Sequence, residues 1–282
     1  MAGTRMITMM VGTSARAAAG LAAMLVAALL GSGSTVASIV SVNAGTNGTT
    51  GWSFSMSSGN GSLNGAFTGA AGTTAMGTSW GLYANSGQTA SQTYSFASAL
   101  NTALGVSTLP VGGTVKIDLS IGFLSAGATV GIGLQNSSGV NRFETYYIGS
   151  NASDTFKLND AGGQENITGP NTSYGASSWK ADPAQFQTIL FTQLAGNQYS
   201  LSFDGVAVTN SGLALAASDI SQIRFFNFNA GSGDGNNQYA NNLVVVPEPG
   251  MTAFGVMGLM AVALAARWGR SGRAGASPRR AG

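Results

Sequence analysis

The residues that carry most enzymatic chemistry are missing from this sequence. Its 282 residues include no histidine and no cysteine, which excludes a Ser-His-Asp triad, a thiolate nucleophile and an imidazole zinc site. Paired carboxylates remain as the one source of acid–base chemistry. Asp118, Glu144 and Asp204 each stand alone on a predicted strand or turn, without the spacing that aims several acids into one groove. We therefore predict no catalytic residue and a protein that is not an enzyme.

Asp234, Asn236 and Asn237 are the candidate metal ligands, because their side chains offer the oxygen atoms that calcium takes. Asn241 and Asn242 follow shortly afterwards. The same residue types also form ordinary turns, and the spacing of an EF-hand with its terminal glutamate is missing. The favoured interpretation is a polar loop before the last strand, with calcium binding as the alternative. No cofactor is predicted.

Four aromatic residues lie in segments rich in glycine, serine or asparagine: Trp80, Tyr83, Trp179 and Tyr239. A flat ring on such a surface is suited to stack against the face of a sugar. Aromatic side chains of a β domain more often fill the core, because each one buries a large apolar area. A core position is therefore the favoured role for each of the four, with a sugar platform as the alternative.

The elements that must position these side chains are short strands. From Val115 to Phe123, apolar residues alternate with polar or small ones, which predicts a half-buried strand. Tyr199 to Val208 contains two alternating runs joined at Asp204-Gly205, a pair that favours a tight hairpin turn. Further strands are predicted at 130–134, 142–148, 155–158, 186–191, 223–228 and 242–246, and a short helix at 95–104.

This spacing of strands and turns predicts an all-β fold, an antiparallel β-sandwich or jelly roll, rather than alternating β and α units. No fixed repeat runs through the body, which argues against a solenoid. Residues 45–77 could form a linker rich in glycine, serine and threonine. Trp52, Phe54 and Phe67 supply enough apolar anchors that we place this segment in the sandwich.

The C-terminal segment, 247–282, has three parts in a fixed order. Pro247, Glu248, Pro249 and Gly250 come first, and Gly250 to Ala266 gives 17 residues without a charge. As a helix this run would span about 25 Å, just short of a typical hydrocarbon core, so it can cross a membrane only marginally. The tail that follows carries five arginines, which favour the cytoplasmic side: Arg267, Arg270, Arg273, Arg279 and Arg280. The alternative is a C-terminal core helix with a solvated basic end.

This order of motif, apolar span and basic tail resembles the PEP-CTERM sorting signal of exported proteins of Gram-negative bacteria. The resemblance implies that Pro247, Glu248, Pro249 and Gly250 form the recognised motif. It further implies that a transmembrane helix anchors the precursor in the inner membrane, with Arg267, Arg270 and Arg273 as the membrane stop. The implied partner is an exosortase, an integral membrane protease.

The N-terminal segment reads as a secretory signal peptide. Arg5 and Arg16 form a positive region without acids, and the 14 residues from Ala17 to Leu30 are apolar. Small residues suited to cleavage end at Ala37 and again at Ala44. A first transmembrane helix is the weaker alternative, because 14 residues fall short of a membrane span. We therefore predict a signal helix at 1–37, one sandwich domain at 38–246, and the sorting segment at 247–282.

The charge of the body argues against nucleic acid as a partner. Residues 38–246 contain five basic and nine acidic residues, which gives a net charge of −4. Binding to phosphates needs clustered lysine and arginine. Polarity comes mostly from glycine, serine, threonine and asparagine, which suits contact with a polysaccharide.

The order of features in the body resembles a concanavalin-like jelly roll of the kind found ahead of PEP-CTERM signals. These features are Gly51-Trp52, Trp80 to Tyr83, Val130 to Leu134, Asn141 to Phe143, and Tyr199 to Leu201. The resemblance implies fold more than activity. We expect an exported, non-enzymatic protein of the cell surface or extracellular matrix. The alternatives are a carbohydrate-binding module and, less favoured, a glycosidase, and exopolysaccharide is the candidate ligand.

Overall fold

The computed structural model describes residues 38–57, 64–70, 76–122, 124–149, 156–170 and 186–247. All of them belong to one compact unit, Ser38–Gly282. Within these residues the chain forms two α-helices, α1 (Ala44–Asn47) and α2 (Ala97–Leu104), and two short helical turns, Ala195–Asn197 and Asp234–Asn236. It also forms fifteen strands: β1 (Val40–Val42), β2 (Trp52–Met56), β3 (Asn64–Ala70), β4 (Thr78–Ala84), β5 (Thr89–Ser95), β6 (Thr114–Ile121), β7 (Thr129–Gln135), β8 (Asn141–Ile148), β9 (Lys157–Asp160), β10 (Gly163–Asn166), β11 (Gln187–Gln193), β12 (Tyr199–Phe203), β13 (Val206–Ala207), β14 (Gln222–Phe228) and β15 (Gln238–Val246).

The strands form two sheets. In the described part of the chain, sheet I has eight strands in the order β13-β12-β11-β6-β15-β4-β3, and β1 pairs with the C-terminal half of β15. Sheet II has seven strands in the order β10-β9-β8-β7-β14-β5-β2. The strand pairs of both sheets are antiparallel.

Side-chain alternation explains why the two sheets pack face to face. In β6 of sheet I, Ile117 and Leu119 are buried in the core, and the residues between them face away from it. In β7 of sheet II, Val130, Ile132 and Leu134 join the same core. The predicted all-β antiparallel sandwich is therefore confirmed, since one core lies between two antiparallel sheets.

Most predicted elements are confirmed at or near their expected positions. The strands predicted from Val115 and at 130–134, 142–148, 186–191 and 223–228 correspond to β6, β7, β8, β11 and β14. The predicted hairpin joins β12 to β13, with Asp204 and Gly205 at φ values of 51° and 80°. The predicted helix is α2. Residues 45–77, as far as they are described, contribute α1, β2 and β3 to the fold.

Two strand boundaries differ from the prediction. β9 begins at Lys157, two residues after the predicted start, and ends at Asp160. β15 begins at Gln238, four residues before the predicted Asn242. A bulge between Asn241 and Val244 breaks the register of β15 against β6, and Asn242 there has a φ of 52°. The bulge hides the alternation that sequence reasoning needs to find the first half of the strand.

The predicted signal helix lies outside the described residues, as does the predicted transmembrane helix. Among the residues that are described, no helix combines the length and apolar character needed to cross a membrane.

Candidate functional site

Trp80 was a candidate sugar platform, and this prediction is wrong. Its side chain is 0% exposed in the core, and its ring centroid lies 4.9 Å from that of Trp52. The indole nitrogen donates a hydrogen bond to the carbonyl oxygen of Gly48. The reason is the alternation of β4: Trp80 and Leu82 face the core, whereas Gly81 and Tyr83 face outward.

Tyr83 and Tyr239 lie on the outer face of sheet I, where the structure brings them together through Phe67. The ring centroid of Phe67 is 6.3 Å from that of Tyr83 and 5.8 Å from that of Tyr239. All three side chains are partly exposed. We call these three residues the aromatic patch. Trp179, the fourth candidate, lies outside the described residues.

Two glycines make room for the aromatic patch. Gly81 lies directly opposite Phe67 in the pairing of β3 with β4 and opposite Tyr239 in the pairing of β15 with β4. A methyl group at Gly81 would collide with the Phe67 ring, and one at Gly65 would collide with the Tyr83 ring. Both rings therefore lie against bare backbone. This arrangement keeps them close to the sheet instead of projecting from it.

Polar side chains border the aromatic patch. The Nδ2 of Asn237 donates to the Tyr239 hydroxyl at 3.3 Å, and Tyr239 lies opposite Ser120 of β6. Two residues further along β6, Asp118 accepts hydrogen bonds of 2.7 Å from the Thr188 hydroxyl and the Asn242 amide. An apolar surface of rings thus lies beside amide, hydroxyl and carboxylate groups.

The candidate calcium ligands make protein hydrogen bonds instead of converging on one point. The Nδ2 of Asn236 donates to the Ala230 carbonyl at 2.6 Å, and Asn237 contacts Tyr239. The Oδ1 of Asn241 accepts from the Ala44 N–H at 2.9 Å, and that of Asn242 accepts from the Asn43 amide at 2.7 Å. No group of three or more acidic, histidine or cysteine residues in the described ranges could hold a metal ion. The Asp234 side chain lies outside what the structure describes, so calcium binding there stays a prediction.

Asp118 and Glu144 are separated by the whole core. Asp118 lies on the outer face of sheet I, because its neighbours in β6 point inward. Glu144 lies on the outer face of sheet II, because Phe143 and Thr145 point inward. Asp204, the third acid, sits in the hairpin turn and accepts from the Thr188 N–H at 2.8 Å. Asp118 and Glu144 therefore cannot act together as the acid–base pair of a glycosidase, whereas Asp118 and Asp204 both bond to Thr188.

Glu144 belongs instead to a polar cluster on the outer face of sheet II. Its Oε1 forms an ion pair with the Arg224 guanidinium and accepts from Asn141 at 2.7 Å, and its Oε2 accepts from Asn159 at 3.3 Å. Burial lowers the pKa of Arg224, and Glu144 opposes that shift. Burial raises the pKa of Tyr146, with a smaller contribution from Glu144.

Aromatic rings also lie on this face, beneath Arg224. The rings of Phe226 and Phe228 stack with centroids 4.9 Å apart, and the Arg224 guanidinium carbon lies 4.7 Å from the Phe226 centroid. Phe226 is only 2% exposed. The cation covers this aromatic pair, in contrast to the aromatic patch of sheet I.

Another acid, Asp160, links the two sheets across the core. The Tyr199 hydroxyl of β12 donates to Asp160 of β9 at 2.7 Å. Burial raises the pKa of Tyr199 far above its ordinary value, and the hydrogen bond to Asp160 adds to the effect.

The predicted sorting motif is described only at its first residue. Pro247 is buried and follows directly after β15, which ends at Val246. The rest of the motif and the predicted membrane stop lie outside the described residues: Glu248, Pro249, Gly250, Arg267, Arg270 and Arg273.

Sequence reasoning missed Phe67 as a site residue. It was noted only as an anchor of the segment 45–77, because nothing local shows which residues will lie across from it. The signal that could have found it is glycine alternating with aromatic residues in both β3 and β4, since Gly65 and Gly81 each face a ring of the other strand.

No protein-family model matches the chain, and no curated protein matches it. Solved structures do align with it. A β-glucanase of Bacillus licheniformis aligns over 74% of this chain and 98% of its own, with 13% identity and a TM-score of 0.40. A carbohydrate binding module from Bacillus subtilis aligns over 70% and 96%, with 11% identity and a TM-score of 0.38. A tetrameric galectin from the ball sponge Cinachyrella sp. aligns over 55% and 99%, with 13% identity and a TM-score of 0.35. At these scores the alignments establish no family for this chain.

Proposed function

We propose that the protein is an exported, non-enzymatic polysaccharide-binding domain of the cell surface or extracellular matrix, with a concanavalin-like jelly-roll topology. The observation that carries the proposal is the aromatic patch, in which Phe67 contacts both Tyr83 and Tyr239 and all three rings are partly exposed on one face of sheet I. Export and sorting rest on the signal peptide and on the resemblance of the C-terminal segment to a PEP-CTERM signal.

The chemistry of the patch fits a sugar polymer. The hydrogens on the carbon atoms of a sugar ring pack against an aromatic face, while its hydroxyl groups need hydrogen-bonding partners at the edge. The rings of Phe67 and the two tyrosines offer the first kind of contact. The Tyr239 hydroxyl, oriented by the Asn237 amide, supplies the second. A body with a net charge of −4 is also compatible with neutral glycans.

The non-enzymatic part of the proposal is supported by the hydrogen bonds that three acidic side chains make within the protein. Asp118, Glu144 and Asp204 each bond protein donors, and Asp118 is separated from Glu144 by the core. These three acids are thus engaged in the fold, and histidine and cysteine are missing from the whole sequence.

The test is a glycan array, followed by titration of the polysaccharides that bind. Wild-type protein is expected to bind at least one polymer, and Phe67→Ala is expected to weaken that binding about tenfold or more, since a central aromatic contact contributes at least 1.4 kcal/mol. Leu190→Ala is the matched control, because Leu190 is an exposed apolar residue on the same face of sheet I. Equal binding by all three proteins would refute the patch as the site.

Two further measurements on the same polysaccharides separate the alternatives. Release of reducing sugar by the wild-type protein would favour the glycosidase, and binding to no polymer would leave a structural role without a sugar ligand. Repeating the titration with a calcium chelator tests whether Asp234 and its neighbours contribute a metal site.

A further inference from the structure

The first strand of the sandwich begins just after the predicted signal peptide. β1 pairs with β15 so that Val40 lies opposite Val245 and Val42 opposite Leu243. The pairing extends one residue further, because the Ile39 N–H donates to the Val245 carbonyl at 3.0 Å. Val40 is 5% exposed and belongs to the core. Residues 39–42 are therefore part of the folded domain.

The residues that follow β1 are tied to the same region. The Ala44 N–H donates to the Asn241 Oδ1 at 2.9 Å, and Ala44 is 3% exposed. The Asn43 amide donates to the Asn242 Oδ1 at 2.7 Å. These two bonds reach the bulge of β15, where Asn241 is fully buried and its amide nitrogen donates to the Met76 and Thr78 carbonyls.

We propose that the signal peptide is removed after Ala37 and not after Ala44, so that the mature protein begins at Ser38. This proposal rests on the proposed export. Hydrolysis of the Ala37–Ser38 peptide bond consumes one water molecule, and leaves a carboxylate on Ala37 and an amino group on Ser38. The sequence alone offers small residues at both positions and leaves the choice open.

Cleavage after Ala44 would remove a structural strand. The three residues of β1 would be lost, and one edge of the C-terminal half of β15 would have no partner. The Asn242 Oδ1 would lose the Asn43 amide as its donor, and the buried Asn241 Oδ1 would lose the Ala44 N–H. Buried polar groups without partners and open strand edges both destabilise a fold and favour aggregation.

The same pairing places both ends of the sandwich together. Because β1 runs antiparallel to β15, Ser38 and Pro247 lie at the same end of sheet I. The two segments that flank the domain therefore join it at one end.

The experiment expresses the full chain in a Gram-negative host and determines the N-terminus of the exported protein by intact mass and N-terminal sequencing. A chain that begins at Ser38 is expected. An exported chain that begins at Gly45 would overturn the inference and leave the proposed export standing. A chain that still begins at Met1 in the cytosol would overturn both.

A pair of variants keeps the inference falsifiable whatever site the host prefers. Ala37→Arg is expected to leave the precursor uncut, and efficient export of a product that begins at Gly45 from this variant would contradict the proposal. Deleting residues 38–44, so that Ala37 is joined to Gly45, is expected to lower the yield of exported protein about tenfold or more, since destabilised chains are degraded or aggregate. Unchanged yield would show that β1 is dispensable.

Discussion

The outer faces of the two sheets both carry aromatic rings, but the rings are covered by other side chains to different extents. On sheet II, Phe226 is covered by Arg224, which in turn pairs with Glu144. On sheet I, Phe67 lies against Gly81 and touches two tyrosines. One face closes over its rings with side chains that bond to each other, whereas the other leaves its rings in partial contact with solvent.

This difference separates a structural use of aromatic residues from a binding use. A ligand on sheet II would have to displace an ion pair and a cation–π contact, each of which stabilises the free protein. A ligand on sheet I would displace water from apolar surface, which is favourable. The comparison therefore predicts that substitutions on sheet II change stability, and that substitutions in the aromatic patch change binding.

The largest expected effect is that of Glu144→Ala on stability. The Glu144 and Arg224 side chains are only 13% and 21% exposed, so removal of the carboxylate leaves a mostly buried cation without its partner. We expect a loss of about 3 kcal/mol in the free energy of unfolding. Phe67→Ala, at a partly exposed position, is expected to cost about 1 kcal/mol.

Urea unfolding of both variants measures this contrast. Glu144→Gln is the control, because its amide oxygen still accepts from Asn141 while the charge is gone. The free energy of unfolding of Glu144→Gln is expected to lie between those of the wild type and Glu144→Ala. Equal losses for Glu144→Ala and Phe67→Ala would remove the distinction between the two faces.

An intermediate effect is expected from glycine substitutions on the two faces. In Gly81→Ala the new methyl group collides with the Phe67 ring, so the ring must move, at a cost of about 1 to 3 kcal/mol. Polysaccharide binding is expected to fall together with stability. Gly133 of β7 is the matched control, because a methyl group there would lie 3.3 Å from the Glu144 Cγ, a tight contact that a small shift of this flexible side chain can relieve.

Both glycine variants are measured by polysaccharide titration and by urea unfolding. If Gly133→Ala weakened binding as much as Gly81→Ala, the aromatic patch would not be the binding surface. A crystal structure of the Gly81→Ala variant would show where the Phe67 ring has gone.

The smallest expected effect concerns the link between the sheets and depends on pH. Burial raises the pKa of Tyr199 above its ordinary value of 10.0, so the folded state keeps the phenol protonated after the unfolded chain has lost its proton. The contribution of Tyr199 to the free energy of unfolding is therefore fully present below pH 10. It falls as the pH rises above 10, by up to about 1.4 kcal/mol per pH unit.

Tyr199→Phe removes this ionisation and is expected to flatten the alkaline part of the stability curve. At neutral pH the same variant is expected to lose about 1 kcal/mol, because the hydrogen bond to Asp160 is gone. Unfolding midpoints at pH 7 and pH 11 test both statements. A parallel alkaline decline in the wild type and the variant would show that other groups, such as Tyr146, cause it.

Much of the fold follows from local pattern. β6 alternates strictly, and its period alone indicates which residues enter the core. The hairpin at Asp204-Gly205 follows from the left-handed backbone that both residues adopt. The start of β15 could not be predicted from local pattern, because Gln238 and Asn241 are polar residues that are buried. Their hydrogen-bond partners, the Gly131 and Thr78 carbonyls, lie far away in the chain.

The candidate site was less predictable than the fold. The alternation of β4 would have assigned Trp80 to the core and Tyr83 to the surface, had the strand been recognised. The contact between Phe67 and Tyr239 depends on β3, β4 and β15 lying side by side, and 172 positions separate the two residues in the sequence. Composition and period carry no information about such register, which is decided by packing.

The position of β15 has a consequence for when the domain assembles. β15 is the last of the described strands in chain order, yet it lies between β6 on one side and β4 and β1 on the other. Without β15, the pairing of sheet I is divided into three parts, β13-β12-β11-β6, β4-β3 and β1, until Val246 has emerged from the ribosome or the export channel. We therefore expect sheet I to be completed late, after near-complete emergence of the chain, because its central strand is the last one described in chain order.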